Sequence, residues 1–283
     1  MAKPDATPEI RIRDLDTVPD LQKAVLLEKE VWECDDADIT PITLAVATRA
    51  TGSIWLGAFH GDELVGFAFA VPALEEGGVG FHSHTVGVRS SYRSAGVGYQ
   101  LKLAQRKKAL SVGIKKMTWT FDPLRSHNAH FNFCKLGVIS DSYRIDFYGP
   151  QTSSTLHSNS TDRLWVTWHM NDARVEARLR GKDVRAEVVD ALAHIDPMVR
   201  FNGDGRPAEG DLAPALSRQR VAIEIPGDIG SIERDDIGLA REWRRATRKA
   251  FAEALKAGFV VKEFCRSVRG QQGPGAYLLE KGS

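Results

Sequence analysis

Cysteine is scarce. Cys34, Cys134 and Cys265 are the three in 283 residues. They are far apart, odd in number and free of any CxxC or Cys/His spacing, so they offer no metal-ligand pattern and suit a reducing compartment. No stretch approaches the 18 apolar residues that a membrane-spanning helix needs. The opening MAKPDATPEI has no apolar h-region, so no secretion signal is expected, and a cytoplasmic location follows by elimination. Charge of one sign is missing too: 38 Lys and Arg against 37 Asp and Glu give a net charge of +1. That removes the global electrostatic case for nucleic acid, and any anion binding must be local. Two phosphate-binding fingerprints are also lacking: GxGxxG after the first strand, and GxxxxGK followed by Ser or Thr.

What remains is ordinary globular material, 42% hydrophobic and 27% charged, enough for one large or two medium domains. The first half alternates strands and helices. IRIRDL (10–15) alternates as a strand. A helix is expected from Val18 to about Trp32. Thr40-Pro41 looks like a cap opening a second helix to about Ala50. SIWLGAFHGDELVGFAFAVPAL places two apolar runs around His60-Gly61-Asp62, a hairpin signal. FHSHTVGV (81–88) is a further strand. A helix from about Val97 to Val112 ends at Gly113. KKMTWTFDP is a strand stopped by Pro123, a helix covers about Ser126–Leu136 up to Gly137, and VISDSYRIDFYG (138–149) is the last strand of this half.

PQTSSTLHSNSTD (150–162) is polar and without period, and reads as a linker, 150–163, between a domain over 1–149 and a C-terminal α/β unit over 164–283. In that unit LWVTWHM and VAIEIPG are strands, 201–214 is a Gly/Pro/Asp-rich loop, and Asp235 or Asp236 caps a helix to about Ala257, followed by two more strands. ALSVGIKKMTW (109–119) and ALKAGFVVKEF (254–264) share a helix–glycine–strand pattern. This reads either as a degenerate half-repeat that has lost its glycine loop, with Arg241 and Trp243 where Gly96 and Gly98 would align, or as a turn common to any helix-to-strand junction.

The chemistry concentrates in VGVRSSYRSAGVGYQLKLAQ (86–105). Gly96 and Gly98 let the backbone turn tightly and approach a ligand. The N–H groups of Ser94, Ala95, Gly96, Val97 and Gly98 would sit at a helix N-terminus, where the dipole and unpaired donors favour a phosphate or pyrophosphate. Arg89 and Arg93 add charge.

Residues 86–98 resemble motif A of the GNAT superfamily of acyl-CoA-dependent N-acyltransferases. The order β-α-α-β-β-β-α-β-α-β over about 8–149 matches that fold, a mixed, mostly antiparallel sheet flanked by helices (α/β, or α+β). HNAHFNFCKLGV (127–138) is similar to the family's following helix, and together with WTFDPL suggests a subgroup of larger bacterial members. The resemblance implies acetyl-CoA or another acyl-CoA as co-substrate, with no metal. The pyrophosphate would lie on Ser94–Gly98 beside Arg93, the pantetheine arm along Val86 to Val88, and Asn128 would bond that arm or cap its own helix. Phe133 stands where the family often has a tyrosine acid, so Tyr143 and Tyr148, on the last strand, become candidates for that role or for packing. Cys134 points elsewhere on its helix.

His82 and His84 lie two apart, on one strand face, and an unperturbed pKa near 6.5 suits a base. His84 is favoured as the catalytic base, with a core histidine as the alternative. Glu33, Asp35, Asp36 and Asp38 would line an acceptor pocket for a small amine, or form a solvated, helix-capping loop. Asp122 is a further polar candidate. The basic helix from about Asp235 reads as a core stripe with a solvated basic face. The expected activity is direct attack of a small amine on the thioester, and the alternative is a non-catalytic acyl-CoA-binding sensor. No nucleic acid or membrane is expected as partner, and an oligomer is compatible.

Overall fold

The computed structural model describes residues 9–75, 78–149, 153–154, 157–268 and 273–282. The chain divides into two compact units, residues 1–118 with 152–156, and 119–151 with 157–283. Most of the opening segment read for a signal, residues 1–8, lies outside the described residues.

In the first unit β1 (Ile10–Asp14) leads to α1 (Val18–Trp32) and α2 (Ile42–Ala50), then β2 (Ile54–His60), β3 (Glu63–Glu75) and β4 (Gly78–Val88). A 3-10 turn (Ser90–Ala95) opens α3 (Val97–Ser111), and β5 (Lys116–Phe121) carries the chain into the second unit. The strand order is β1-β2-β3-β4-β5. The first four strands pair antiparallel, and β4 pairs with β5 in parallel. The expected hairpin is present: His60 pairs with Glu63 around Gly61, at φ +58°.

The helices take opposite faces of β3. Leu21, Ala24 and Leu27 of α1 pack on Trp55, Phe67 and Phe69. On the other face Val97 and Leu101 of α3 press on Gly66, where a Cβ would come within 3.1 Å of Val97. Alternation along the strand puts residues 66 and 67 on these two sides. The cap of α2 is Pro41 rather than Thr40. The Thr40 N–H instead donates to Glu28.

The second unit continues with α4 (Ser126–Ala129), a π-helical stretch (His130–Leu136), β6 (Ile139–Arg144), β7 (Arg163–His169), α5 (Ala173–Leu179), α6 (Arg185–Ala193), β8 (Val199–Phe201) and β9 (Pro207–Glu209). It closes with α7 (Leu212–Leu216), β10 (Arg220–Ile225), α8 (Ile229–Asp235), α9 (Ile237–Lys256), β11 (Phe259–Cys265) and β12 (Gly275–Lys281). Its strand order is β5-β7-β6-β11-β12-β10-β8-β9. Trp168, Trp243, Phe133, Phe251 and Tyr277 are fully enclosed in its core.

Several expectations need correction. The compact units part near residue 118 rather than 149, because β6 pairs with β7 and with β11, strands assigned by sequence to the C-terminal unit. The span 150–163 is not a free linker. Residues 150–152 and 155–156 lie outside the described residues, but Asn159, Thr161 and Asp162 are buried. Asn159 Nδ2 donates to the Ala240 carbonyl, and Asp162 accepts from the Tyr143 hydroxyl and from Arg248. Polarity there serves internal pairing, not solvation. The 201–214 stretch contains β9 and the start of α7.

The two similar helix-to-strand turns do share a left-handed glycine, Gly113 at φ +81° and Gly258 at +84°. Their surroundings differ: β4 and β5 are parallel neighbours, whereas β10 and β11 are separated by β12 and antiparallel to it. Phe59 and Phe69 mark β-bulge positions in the first sheet.

The basic face of α9 is partly interior. Arg244 is 3% exposed and grips both oxygens of Asp122 at 2.8 and 2.9 Å. Burial pushes the Asp122 carboxyl up, but the Arg244 charge and hydrogen bonds, with Arg125 and Arg163, outweigh it and hold it at about 2. Removing one member of a buried pair strands the other charge. Arg244→Ala is therefore expected to cost about 3 kcal/mol in chemical denaturation at pH 7. Adding Asp122→Asn to that variant should recover part of the loss. A cost below about 1 kcal/mol, as for a surface pair, would mean that the pair is not desolvated.

Candidate functional site

The glycine turn has the geometry its sequence announces. Arg89 precedes the 3-10 turn, Gly96 adopts φ +73° as the N-cap of α3, and no side chain caps the helix. The first-turn N–H groups of a helix have no partner inside it. Here the first turn also contains no acidic residue. Gly96 is fixed by its left-handed backbone, which L side chains adopt at a cost. Gly98 is different. Its φ is not positive, and a Cβ there would meet only Val88 Cγ2 at 3.8 Å. No protein neighbour demands a glycine, so its smoothness faces outward, over the donors. Ser94 and Gly96 are exposed, Ala95 and Gly98 are half-buried, and Val97 is buried in the core.

Of the two arginines only Arg93 remains near the turn, exposed, with Nε donating to the Val88 carbonyl at 3.3 Å. Arg89 is engaged by Glu30 and Glu63, so its charge is already met.

The strand before the turn carries the histidines. Val86 and Val88 pair with Ala68 and Gly66 of β3. Between Phe69–Thr85 and Val71–His82 the register slips, so Ser83 and His84 together oppose Ala70. Such a bulge re-aims side chains. His84 is exposed, with its ring edge-on to Phe69 at 5.8 Å. Although the residue as a whole is exposed, burial of its ring lowers the pKa below the usual 6.5, and Glu28 opposes the shift. His82 is committed: its Nδ1 meets the Thr118 hydroxyl at 3.0 Å, and Thr118 donates to Glu75 at 2.6 Å. Burial and the His84 charge, then Lys102, bring His82 down to about 4 against the pull of Glu75.

Two interior charges of this unit escape a motif-based reading. Glu28 of α1 is 6% exposed, accepting from the Thr40 N–H at 3.0 Å and from the Thr85 hydroxyl at 3.4 Å. Its signal in the sequence is position: it continues the inward stripe of Leu21 and Ala24 at helical spacing. Lys102 lies on the inward stripe of α3, 3% exposed, and donates to Ser83 Oγ at 2.7 Å; Ser83 donates to Gln105 at 3.0 Å. Burial lowers the Lys102 pKa well below its ordinary value.

The acidic loop is less available than expected. Asp36 pairs with Lys29 at 2.6 Å, Asp38 accepts from the Ser153 N–H at 2.7 Å, and the Asp35 N–H donates to Ser153 Oγ at 2.9 Å. Glu33 is the left-handed C-cap of α1, at φ 48°. Cys34 is buried, and burial followed by Glu28 raises its thiol pKa.

The remaining candidates belong to the second unit. Asn128 is exposed on the single turn of α4. Phe133 is 0% exposed, edge-on to Phe121 and Tyr277. Packing accounts for it, because a hydroxyl there would be enclosed. Tyr143 donates to Asp162 at 2.6 Å and stacks on Phe251. Burial and then Asp162 raise its pKa well above the ordinary value. That hydroxyl is part of a core network. Tyr148 is not on a strand, since β6 ends at Arg144 and Tyr148 lies in the turn after it, with its hydroxyl 3.3 Å from Thr120 Oγ1. Asp122 is the partner of Arg244, and Cys134 donates to the Phe264 carbonyl with its thiol pKa pushed up, chiefly by burial, to about 12. Among the described residues no group of His, Cys, Asp and Glu could hold a metal, and no helix is long and apolar enough to cross a membrane.

Three comparisons place the chain among known proteins. No curated protein matches the chain. Among solved structures, aminoglycoside 6'-acetyltransferase type Ii is similar with a TM-score of 0.45 and 20% identity, over 58% of this chain and 98% of that one. Arabidopsis thaliana Naa50, in complex with the bisubstrate analogue CoA-Ac-MVNAL, has a TM-score of 0.45 and 15% identity, over 56% and 97%. An acetyltransferase of the GNAT family from Streptococcus pneumoniae has a TM-score of 0.45 and 16% identity, over 56% and 98%. The likeness rests on the sequence model of the acetyltransferase (GNAT) family, which matches residues 18–137, from the first residue of α1 through the glycine turn to Gly137. That segment, which is less than half of the chain, is what is similar to the acetyltransferase (GNAT) family.

Proposed function

We propose that the first unit binds an acyl-CoA, most simply acetyl-CoA, and transfers its acyl group to a small amine. The observation that carries this is Gly98. At the uncapped N-terminus of α3 it keeps a surface smooth that no protein neighbour requires to be smooth. The residues fit the group: the first-turn N–H groups of α3, at Val97 and Gly98, with Arg93 beside them suit a pyrophosphate, while Ser94 and Ala95 belong to the 3-10 turn that leads into it. β4 pairs with β5 at Phe81 and His82 and, among the described residues, at no later position. Its main chain at Val86–Val88 is thus placed to bond an extended amide-bearing arm. Bound acyl-CoA supplies the activated acyl group as a thioester.

The chain's own work is then positioning and proton transfer. His84, neutral at pH 7 because its pKa lies below 6.5, accepts the proton of the incoming ammonium. A backbone N–H near Val86–Val88 steadies the carbonyl oxygen. No cysteine nucleophile is invoked, since burial raises the Cys34 thiol. Asn128, Tyr143 and Tyr148 have no part in this proposal. Incubation with acetyl-CoA and a panel of small amines should release free CoA thiol only when an accepted amine is present. Tight acetyl-CoA binding with no amine-dependent release across primary amines of varied size would overturn the catalytic reading and leave a sensor.

A further inference from the structure

The second unit holds a cavity of about 1110 Å³ that plays no part in the acyl-transfer reading. Its walls come from α4 and the π-helical stretch, from the segment 178–188, and from the ends of β10 and β11. Five basic side chains line it, Lys135, Arg178, Lys182, Arg185 and Arg266, against two acidic ones, Asp183 and Asp228. In a chain whose net charge is +1, that is a strong local excess.

Neither acid answers it. Asp183 accepts from the Arg185 backbone N–H at 2.8 Å, and Asp228 caps α8 through the Ser231 N–H at 3.2 Å. Among the described residues Lys135, Lys182, Arg185 and Arg266 have no carboxylate partner within ion-pair distance, whereas Arg178 pairs with Glu263 at 2.7 Å. Surface cations of this kind cost little to leave in water. Their convergence on one concavity is the notable point, and His130 registers it. Burial, followed by Lys135, Arg266, His127 and Arg185, pulls its pKa down to about 4.

A second, independent observation points to a ligand. Two buried donors on the lining have no hydrogen-bond partner: Ser126 Oγ, in a residue 4% exposed, and Arg178 Nε, in a side chain 4% exposed. A buried polar atom left unpaired costs free energy, and native structures keep few of them. Arg178 uses Nη2 on Glu263 and Nη1 on the Lys182 carbonyl at 3.4 Å, and its Nε–H has no partner.

We propose that this cavity binds a small molecule bearing an oxyanion, a carboxylate or a phosphate, with Ser126 Oγ and Arg178 Nε as buried donors and Lys135, Lys182, Arg185 and Arg266 as the charged rim. A guanidinium N–H and a hydroxyl on the lining of one cavity both donate to either oxyanion, and rim cations strengthen and steer its capture. The inference does not depend on acyl-CoA binding, since every residue it uses lies in the second unit.

Titration calorimetry on the full chain at low salt tests it, with malonate as the carboxylate probe, pyrophosphate as the phosphate probe and malonamide as the neutral control. We expect one oxyanion to bind and malonamide not to. The double variant R185Q/R266Q should weaken binding at least 10-fold without altering the melting temperature. Ser126→Ala should weaken it about 3- to 10-fold and leave the melting temperature equal or higher, because the hydroxyl gives up no protein partner. Binding of malonate alone identifies a carboxylate ligand, and binding of pyrophosphate alone a phosphate. Equal affinity in wild type and both variants overturns the proposal, as does malonamide binding as well as malonate. Pyrophosphate binding that survives R185Q/R266Q belongs to the glycine turn of the first unit and counts against the cavity.

Discussion

Replacing Gly98 with valine is expected to abolish acyl-CoA binding while leaving the fold as stable as before. The two halves of that expectation have separate grounds. Stability is spared because a Cβ at Gly98 would meet only Val88 Cγ2 at 3.8 Å, ordinary van der Waals contact, and the backbone there is not left-handed. A glycine inside a helix is also worth up to about 1 kcal/mol less than alanine, so a side chain brings no intrinsic penalty. Binding is lost because the valine methyls would stand over the N–H donors at the start of α3, where a pyrophosphate must come within hydrogen-bond distance. We expect affinity for acetyl-CoA to fall about 10³-fold, roughly 4 kcal/mol. Gly96→Ala provides the contrast. At φ +73° it strains the backbone, so it should lower the melting temperature and weaken binding together. Calorimetry and thermal unfolding on the two variants separate these cases. If Gly98→Val binds acetyl-CoA within threefold of wild type, the turn is not the cofactor site.

The contrast between these glycines also shows what a sequence can reveal. Gly96 and Gly98 were legible because their signal is local: a strand, a turn and a helix start within twenty residues. The His60–Glu63 hairpin and the capping of α9 by Asp236 were legible for the same reason. The ion pair of Asp122 with Arg244 was not, because its partners are 122 positions apart and each looks ordinary alone. Asp162 and Tyr143 hid in the same way, the first inside a stretch whose composition reads as linker and the second as a tyrosine that sequence leaves open between an acid and a packing role. Composition reports polarity, and it does not say whether that polarity faces water or a buried arginine. Glu28 and Lys102 lie between these cases. Each occupies the inward stripe of an amphipathic helix, so helical spacing could have flagged both as interior charges. The bulge at Ser83–His84 left no mark at all, since it arises from the register with β3. Yet it decides where His84 points.

That aim gives the second large expectation. His84→Ala should lower turnover about 10³-fold with little change in the KM for acetyl-CoA, because a positioned base contributes to the rate and not to cofactor affinity. The pH dependence carries the sign. His84 has its pKa drawn below 6.5 by its protein surroundings, with Glu28 opposing. As pH falls through that pKa the ring gains a proton and can no longer accept one. Wild-type kcat/KM should therefore be level near neutrality and fall tenfold per pH unit below the pKa, and this limb should vanish in His84→Ala. His82 is the internal control. Its Nδ1 is held by Thr118 and its pKa is about 4, so His82→Asn should keep activity at pH 7 within threefold and leave the acid limb in place. The reverse pattern, with the limb persisting near pH 4 in His84→Ala and disappearing in His82→Asn, would transfer the proton to His82 and to the Thr118–Glu75 chain behind it. A protonated His82 could then shed its charge through hydrogen bonds that already exist.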